Sequence, residues 1–278
     1  MCGGTPSVGA VGMYPVQPTF RARDYTDIVN ISPAPRRWTV MHVLNGDNNL
    51  REAATLQMAR LHQEGSSDEV QVVASLFRGE SEWNWRNLGV KLDELVNPTP
   101  RLLASASDWR GQRTFEVRHQ DQPGSSPQLA ESQSKPSDWR GLRDFLIDSI
   151  RRYPAEHYAL FCTTHGAGEQ GLLTDARGQR MSLADFQRAV DQAEQATQAD
   201  ISLLALEACS MGQPSVMNRL LEQFDYIVAS PKKIQSNASP ADQLLRQLKA
   251  RPDWSPGELA EETRRWFSTG NPSMQLFS

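Results

Sequence analysis

Cysteine is scarce in this 278-residue chain: Cys2, Cys162 and Cys209 are all it has. Three thiols build no disulfide framework. No Cys-x-x-Cys pair and no His-x-x-x-His spacing occurs, which leaves the usual zinc patterns without donors. Long apolar runs are missing too, and none approaches the roughly 18 residues that a membrane span needs. The first twenty residues hold no basic cluster followed by an apolar core, so no signal peptide is expected. An excess of positive charge is also absent. Lys and Arg total 29 against 33 Asp and Glu, and the net charge of −4 gives no electrostatic reason to expect nucleic acid. These absences point to a protein of a reducing compartment, with neither a nucleic-acid nor a membrane partner. The expected location is cytoplasmic, with export as a secreted effector left open.

What is present is ordinary for a globular chain: 38% hydrophobic and 22% charged residues. Residues 1 to 36 are rich in Gly, Pro, Ser and Thr without periodicity, and read as a flexible N-terminal arm. Residues 37–278 then read as one domain. Strands are expected at Trp38 to Leu44, Val70 to Phe77, Tyr158 to Cys162, Ile201 to Leu206 and Asp225 to Ala229. Asp47 or Asn48 reads as the cap of a first helix. Further helices follow Ser137 or Asp138, the capping box Ser182-Leu183-Ala184-Asp185, Pro214, Pro240, and the capping box Ser255-Pro256-Gly257-Glu258. An uneven alternation from Trp83 to Leu95 suggests a hairpin. Residues 97–136 are poor in structural signals and read as a surface insertion. Two near-copies bracket it: Ser107-Asp108-Trp109-Arg110-Gly111-Gln112-Arg113 and Ser137-Asp138-Trp139-Arg140-Gly141-Leu142-Arg143. Only the second precedes a helical pattern. Strands alternating with helices predict an α/β sandwich, with a mostly parallel sheet covered on both faces.

Two segments carry chemistry. His165-Gly166 follows the strand ending at Cys162, and Glu207-Ala208-Cys209-Ser210-Met211-Gly212 follows the strand ending at Leu206. The carboxyl ends of parallel strands are where binding and catalysis collect in open α/β sheets. A thiol there becomes a nucleophile when an imidazole draws off its proton. The alternative for Cys209 is a cysteine that only packs. A helix amino end just after it would favour the thiolate. Among the five histidines, only His165 is followed by Gly-Ala-Gly, where the backbone comes close to a substrate.

These two motifs resemble the clostripain family of cysteine peptidases, relatives of caspases and legumains. Val40-Met41-His42-Val43-Leu44-Asn45-Gly46-Asp47-Asn48-Asn49-Leu50 is similar to that family's opening strand and helix start. Pro154 to Tyr158 and Tyr226 to Ser230 are similar to two of its other strands. The resemblance implies a caspase-like αβα fold. It also implies a cysteine endopeptidase with His165 and Cys209 as catalytic dyad, cutting after Arg or Lys in a protein or peptide substrate. It places Glu207, where relatives usually carry Asp, at the floor of the specificity pocket, and the N–H groups of Gly166 and Cys209 in an oxyanion hole. Two alternatives stand beside it: a caspase-like peptidase of other specificity, and a catalytically silent binding protein on the same fold. Relatives are often cut by themselves, and Arg177 and Arg180 are the favoured self-cleavage positions over Arg110, Arg113 and Arg118 of the insertion, with an uncut surface turn as the alternative. Calcium matters for some relatives, but the sequence carries no EF-hand loop or clear carboxylate cluster. No cofactor is therefore expected, calcium is left unassigned, and the sequence leaves the oligomeric state open. Three departures from the family concern the pocket rim: Ser215 stands where many members have Glu, Lys232 to Ala241 offers no aromatic residue, and the chain stops soon after Phe267.

Overall fold

The strand that carries Val40 to Leu44 into the middle of the sheet starts earlier and runs longer than its apolar run. β1 spans Arg36–Gly46, because both its faces are covered and even Thr39 and Asn45 are buried. A computed structural model of the chain describes residues 35–79, 109–119, 126–235 and 241–278. They belong to one compact unit, Pro35–Ser278. Of the arm expected over residues 1 to 36, residues 1 to 34 lie outside the described residues, as does the hairpin at Trp83 to Leu95, while Arg36 already belongs to β1.

Among the described residues, α1 (Arg51–Glu64) and β2 (Val70–Arg78) follow β1. Next come β3 (Gly111–Glu116), β4 (Gln128–Ser132), α2 (Trp139–Arg152) and β5 (Ala155–Thr163). The chain continues with α3 (Leu183–Thr197), β6 (Leu203–Glu207), α4 (Pro214–Leu220) and β7 (Tyr226–Ala229). It ends with α5 (Ala241–Ala250), α6 (Pro256–Gly270) and β8 (Gln275–Phe277). The strands form one sheet in the order β4-β3-β2-β1-β5-β6-β7-β8. The five inner strands from β2 to β7 run parallel, and antiparallel pairs close both sides. The fold is thus the expected helix–sheet–helix sandwich with a mostly parallel centre.

Alternation along β1 divides the core. Met41 and Val43 face one apolar layer with Leu146 of α2, Phe186 of α3 and Leu220 of α4. Trp38, Val40 and Leu44 face the other, with Leu61 of α1, Leu245 of α5 and Leu259 of α6. Burying one such side chain stabilises the fold by about 1.5–3 kcal/mol. Helix starts follow their caps. The Asp138 carboxylate accepts from Arg140 N–H, Ser182 from Asp185 N–H, and Ser255 with Glu258 forms a reciprocal capping box. The first helix differs from expectation. It starts at Arg51 with Leu50 as N-cap, and the Asn48 side chain instead takes Leu50 N–H at 2.8 Å.

The expected surface insertion at 97–136 requires correction over its described residues, since β3 and β4 extend the sheet beyond β2. Their buried positions are polar. Gln112 and Thr114 face inward, and Gln112 Nε2 donates to Ser75 Oγ at 2.8 Å. A strand that buries amides and hydroxyls shows no hydrophobic alternation to read.

Candidate active site

β5 and β6 pair in parallel with Thr163 opposite Glu207, and Thr164 N–H extends the ladder to Glu207 C=O at 3.2 Å. That register brings His165 and Cys209, each two residues further on, to the same end of the sheet. Both are half-buried. The loops they begin touch through backbone. A Cβ on Gly166 would lie 2.3 Å from the carbonyl oxygen of Cys209, so only glycine fits there. No backbone carbonyl among the described residues takes the N–H of Gly166 or of Cys209.

Each of these two side chains holds another partner. His165 Nε2 lies 2.6 Å from Asn49 Oδ1. Cys209 Sγ accepts from Ile234 N–H at 3.4 Å and donates to Ile234 C=O at 3.8 Å. No hydrogen bond joins imidazole to thiol. Burial holds the His165 pKa below the ordinary histidine value, and the nearby positive charge of Arg180 lowers it further. The ring is therefore neutral near neutral pH and able to accept a proton.

The turn after Cys209 is sharp, because Ser210 takes a left-handed conformation with φ 61°. For a residue with a side chain that conformation costs about 1–3 kcal/mol, and the surroundings must enforce it. Here Ser210 N–H donates to Lys232 C=O at 2.9 Å and Gly212 N–H to Ser230 C=O at 2.8 Å. The expected helix amino end beside the thiol is absent. α4 starts at Pro214, five residues beyond Cys209, while a helix dipole acts mainly within its own first turn.

Glu207 points to the α1 face of the sheet and is 4% exposed. Its Oε2 accepts from Thr163 Oγ1 at 3.0 Å and from Gln57 Nε2 at 3.2 Å. The cavity beside it, lined also by Val40, His42 and Phe161, measures about 20 Å³. That is room for about one water and not for a guanidinium. His42 stacks on Phe161, and full burial pushes its pKa down to about 3, so it is a neutral part of the wall. Cys162 is buried and burial raises its thiol pKa, which suits packing rather than chemistry.

Arg177 and Arg180 are exposed on a turn beyond the histidine loop. The turn is closed from within. The buried Asp175 carboxylate takes the N–H groups of Arg177 and Gln179, each at 2.9 Å, and Leu172 bridges Met181 across its base. Among the described residues, no group of His, Cys, Asp or Glu is arranged to hold a metal ion, and no helix is long and apolar enough to cross a membrane.

The model of the clostripain family matches residues 115–266, which is more than half of the chain and includes both strand-end motifs. The chain belongs to the clostripain family. Solved structures place this clostripain-family chain in the same fold. A secreted C11 cysteine protease of Bacteroides thetaiotaomicron, in complex with an irreversible peptide inhibitor, superposes with a TM-score of 0.62 at 17% identity, over 84% of this chain and 58% of that one. An inactive zymogen C11 protease of Parabacteroides distasonis gives 0.62 at 14% identity, over 88% and 63%. A further secreted C11 protease from B. thetaiotaomicron gives 0.59 at 12% identity, over 88% and 66%. The chain thus spans about three fifths of the length of these relatives. No curated protein matches it.

Three neighbours of the site escaped the sequence reading: Asn49 on the imidazole, Ile234 on the thiol, and Gln57 on Glu207. Asn49 had a usable signal. A run of polar residues directly after β1 lies at the carboxyl edge of the sheet, where His165 also lies. Ile234 acts through its backbone and Gln57 from within a helix, and neither position stands out in a sequence.

Proposed function

We propose that this protein is a cysteine endopeptidase that cuts after basic residues, with His165 and Cys209 as its dyad. The observation that carries the reading is the thiol and the neutral imidazole leaving adjacent strand ends, with the backbones of their loops in contact. The imidazole takes the thiol proton as Sγ attacks the scissile carbonyl. The tetrahedral oxyanion falls toward the N–H groups of Gly166 and Cys209, each such donor being worth about 3 kcal/mol in the transition state. The C–N bond then breaks, the imidazolium returns its proton to the leaving amine, and water hydrolyses the thioester by the same route. For this sequence Sγ must leave Ile234, an adjustment in keeping with catalytic hydrogen bonds that tighten only on substrate binding.

Basic specificity rests on Glu207. Its Oε2 already accepts two hydrogen bonds, from Gln57 and Thr163. A substrate guanidinium or ammonium would have to displace Gln57 and widen the one-water cavity before it could supply a charge-assisted donor in its place. An electrophilic peptide probe ending in Arg tests the whole reading. Covalent labelling at Cys209 is expected; labelling only by probes ending in Asp overturns the basic pocket, and labelling by neither overturns the peptidase.

The same activity turned on its own chain would cut after Arg177 or Arg180. Both are exposed, basic and within the segment that joins the histidine loop to α3, and the cut requires the Asp175-closed turn to open. Mass spectrometry of wild type beside Cys209→Ala decides this. Fragments ending at Arg177 or Arg180 in the wild type alone support self-processing, whereas intact chains in both overturn it.

A further inference from the structure

The end of β1 and the loop after it grip the histidine loop through three asparagines. Asn45 Nδ2 donates to Thr164 Oγ1 at 3.1 Å and to Thr174 C=O at 2.8 Å. Asn48 Nδ2 donates to the same Thr174 carbonyl at 2.7 Å, while its Oδ1 takes Leu50 N–H. Thr164 immediately precedes His165, and Thr174 lies nine residues beyond it, so the chain is held on both sides of the histidine. The third grip is on the ring itself, where Asn49 Oδ1 meets Nε2 at 2.6 Å.

We propose that Asn49 is a positioning residue for His165, its amide oxygen taking Nε2–H so that the ring is held in one tautomer with the Nδ1 lone pair left to accept the Cys209 proton. An amide oxygen has no proton to give, so the proton of this hydrogen bond belongs to Nε2. A neutral imidazole carries one proton, and Nδ1 is therefore the basic nitrogen. The backbone on either side of Asn49 is fixed, by Asn48 at the sheet edge and by Leu50 as N-cap of α1. A side chain held this way keeps its orientation while the imidazole gains and loses charge. Among the described residues, Arg180 is the charged group that acts on His165. Asn49 itself is neutral, so it orients the ring without opposing its deprotonation.

The choice of Nδ1 rests on the peptidase reading, but the tautomer can be measured without it. In protein labelled with ¹⁵N-histidine, His165 is expected to show protonated Nε2 and unprotonated Nδ1 near pH 8, and Asn49→Ala should lose that bias. An identical tautomer in both proteins overturns the proposal, whether or not any peptide is cut. Failure of the Arg probe to label Cys209 is a separate result, and it overturns only the peptidase reading. In turnover of an Arg peptide, Asn49→Ala should lower kcat about 10- to 100-fold with KM within about twofold. Asn49→Asp keeps an acceptor oxygen and adds a negative charge. It should recover most of kcat and move the acid limb about one unit to higher pH. Asn49 is exposed, so neither variant removes core packing. A kcat in Asn49→Ala equal to that of the wild type, or no recovery and no shift of the limb in Asn49→Asp, would overturn the assignment.

Discussion

The loop carrying His165 and the loop carrying Cys209 leave neighbouring strands at the same level, yet they are fastened in opposite directions and by different means. The histidine loop is tied toward β1 by side chains, through Asn45, Asn48 and Asn49. The cysteine loop is tied toward β7 by backbone, with Ser210 and Gly212 donating to the carbonyls of Lys232 and Ser230. Even its thiol bonds a backbone amide, that of Ile234. One half of the site can therefore be tuned by single substitutions. The other is set by the path of the chain and resists them.

Removing what each loop delivers levels the comparison most coarsely. Cys209→Ala and His165→Ala should each lower kcat/KM on an Arg peptide about a thousandfold or more with circular dichroism unchanged, since thiol and imidazole act as one unit. A tenth of the wild-type rate in either variant would move the chemistry elsewhere. Gly166→Ala attacks the line where the loops meet. Its added Cβ falls 2.3 Å from the Cys209 carbonyl oxygen, the loops must part, and a misplacement of that size costs about 100-fold. Steady-state kinetics beside a thermal melt would show the loss in kcat rather than in folding; an unchanged kcat means that the contact is not needed.

Glu207→Gln asks whether the cysteine strand also sets specificity. Removing the charge and keeping the shape should cost an Arg substrate about 1.5–3 kcal/mol, roughly 10- to 150-fold in kcat/KM. Equal rates of the wild type on Arg and Leu peptides would dispose of the idea. The smallest effect belongs to the side-chain-tied loop. The positive charge of Arg180 disfavours the imidazolium of His165 and lowers its pKa, so Arg180→Gln should move the acid limb of kcat/KM to higher pH. The plateau at alkaline pH stays in place, and a limb that stays or moves down contradicts the electrostatic account.

The parallel centre was legible because its residues are apolar on both faces. Val40 to Leu44, Tyr158 to Cys162 and Leu203 to Leu206 leave little choice but buried strands, and Ser182 and Ser255 announce their helices. The sheet margins were not. β8 is three residues long, and β3 buries Gln112 and Thr114. The near-repeat shows why local sequence could not decide. Over its described residues the first copy leads into a strand, while the second opens a helix. In both, the last arginine stacks on its own tryptophan: Arg113 over Trp109 at 4.7 Å and Arg143 over Trp139 at 5.2 Å. The side-chain contact is encoded locally, but the backbone answers to its sheet or helix neighbours. At the site, the placement of His165 and Cys209 at one end of the sheet was readable from strand ends. Of their present partners, Asn49 lay in a readable polar run at the same sheet edge, whereas Ile234 reaches the thiol through its backbone and leaves no trace in the sequence.

Gly166 meets the Cys209 carbonyl through backbone, and the side chains of Met211 and Ala208 close in on the same spot. The apolar layers above and below the sheet can be rebuilt with residues of similar volume, as cores commonly tolerate, provided that Ala208 and Met211 beside Gly166 are kept. Attempts to harden this protein against heat have wide freedom in those layers and almost none at a single glycine.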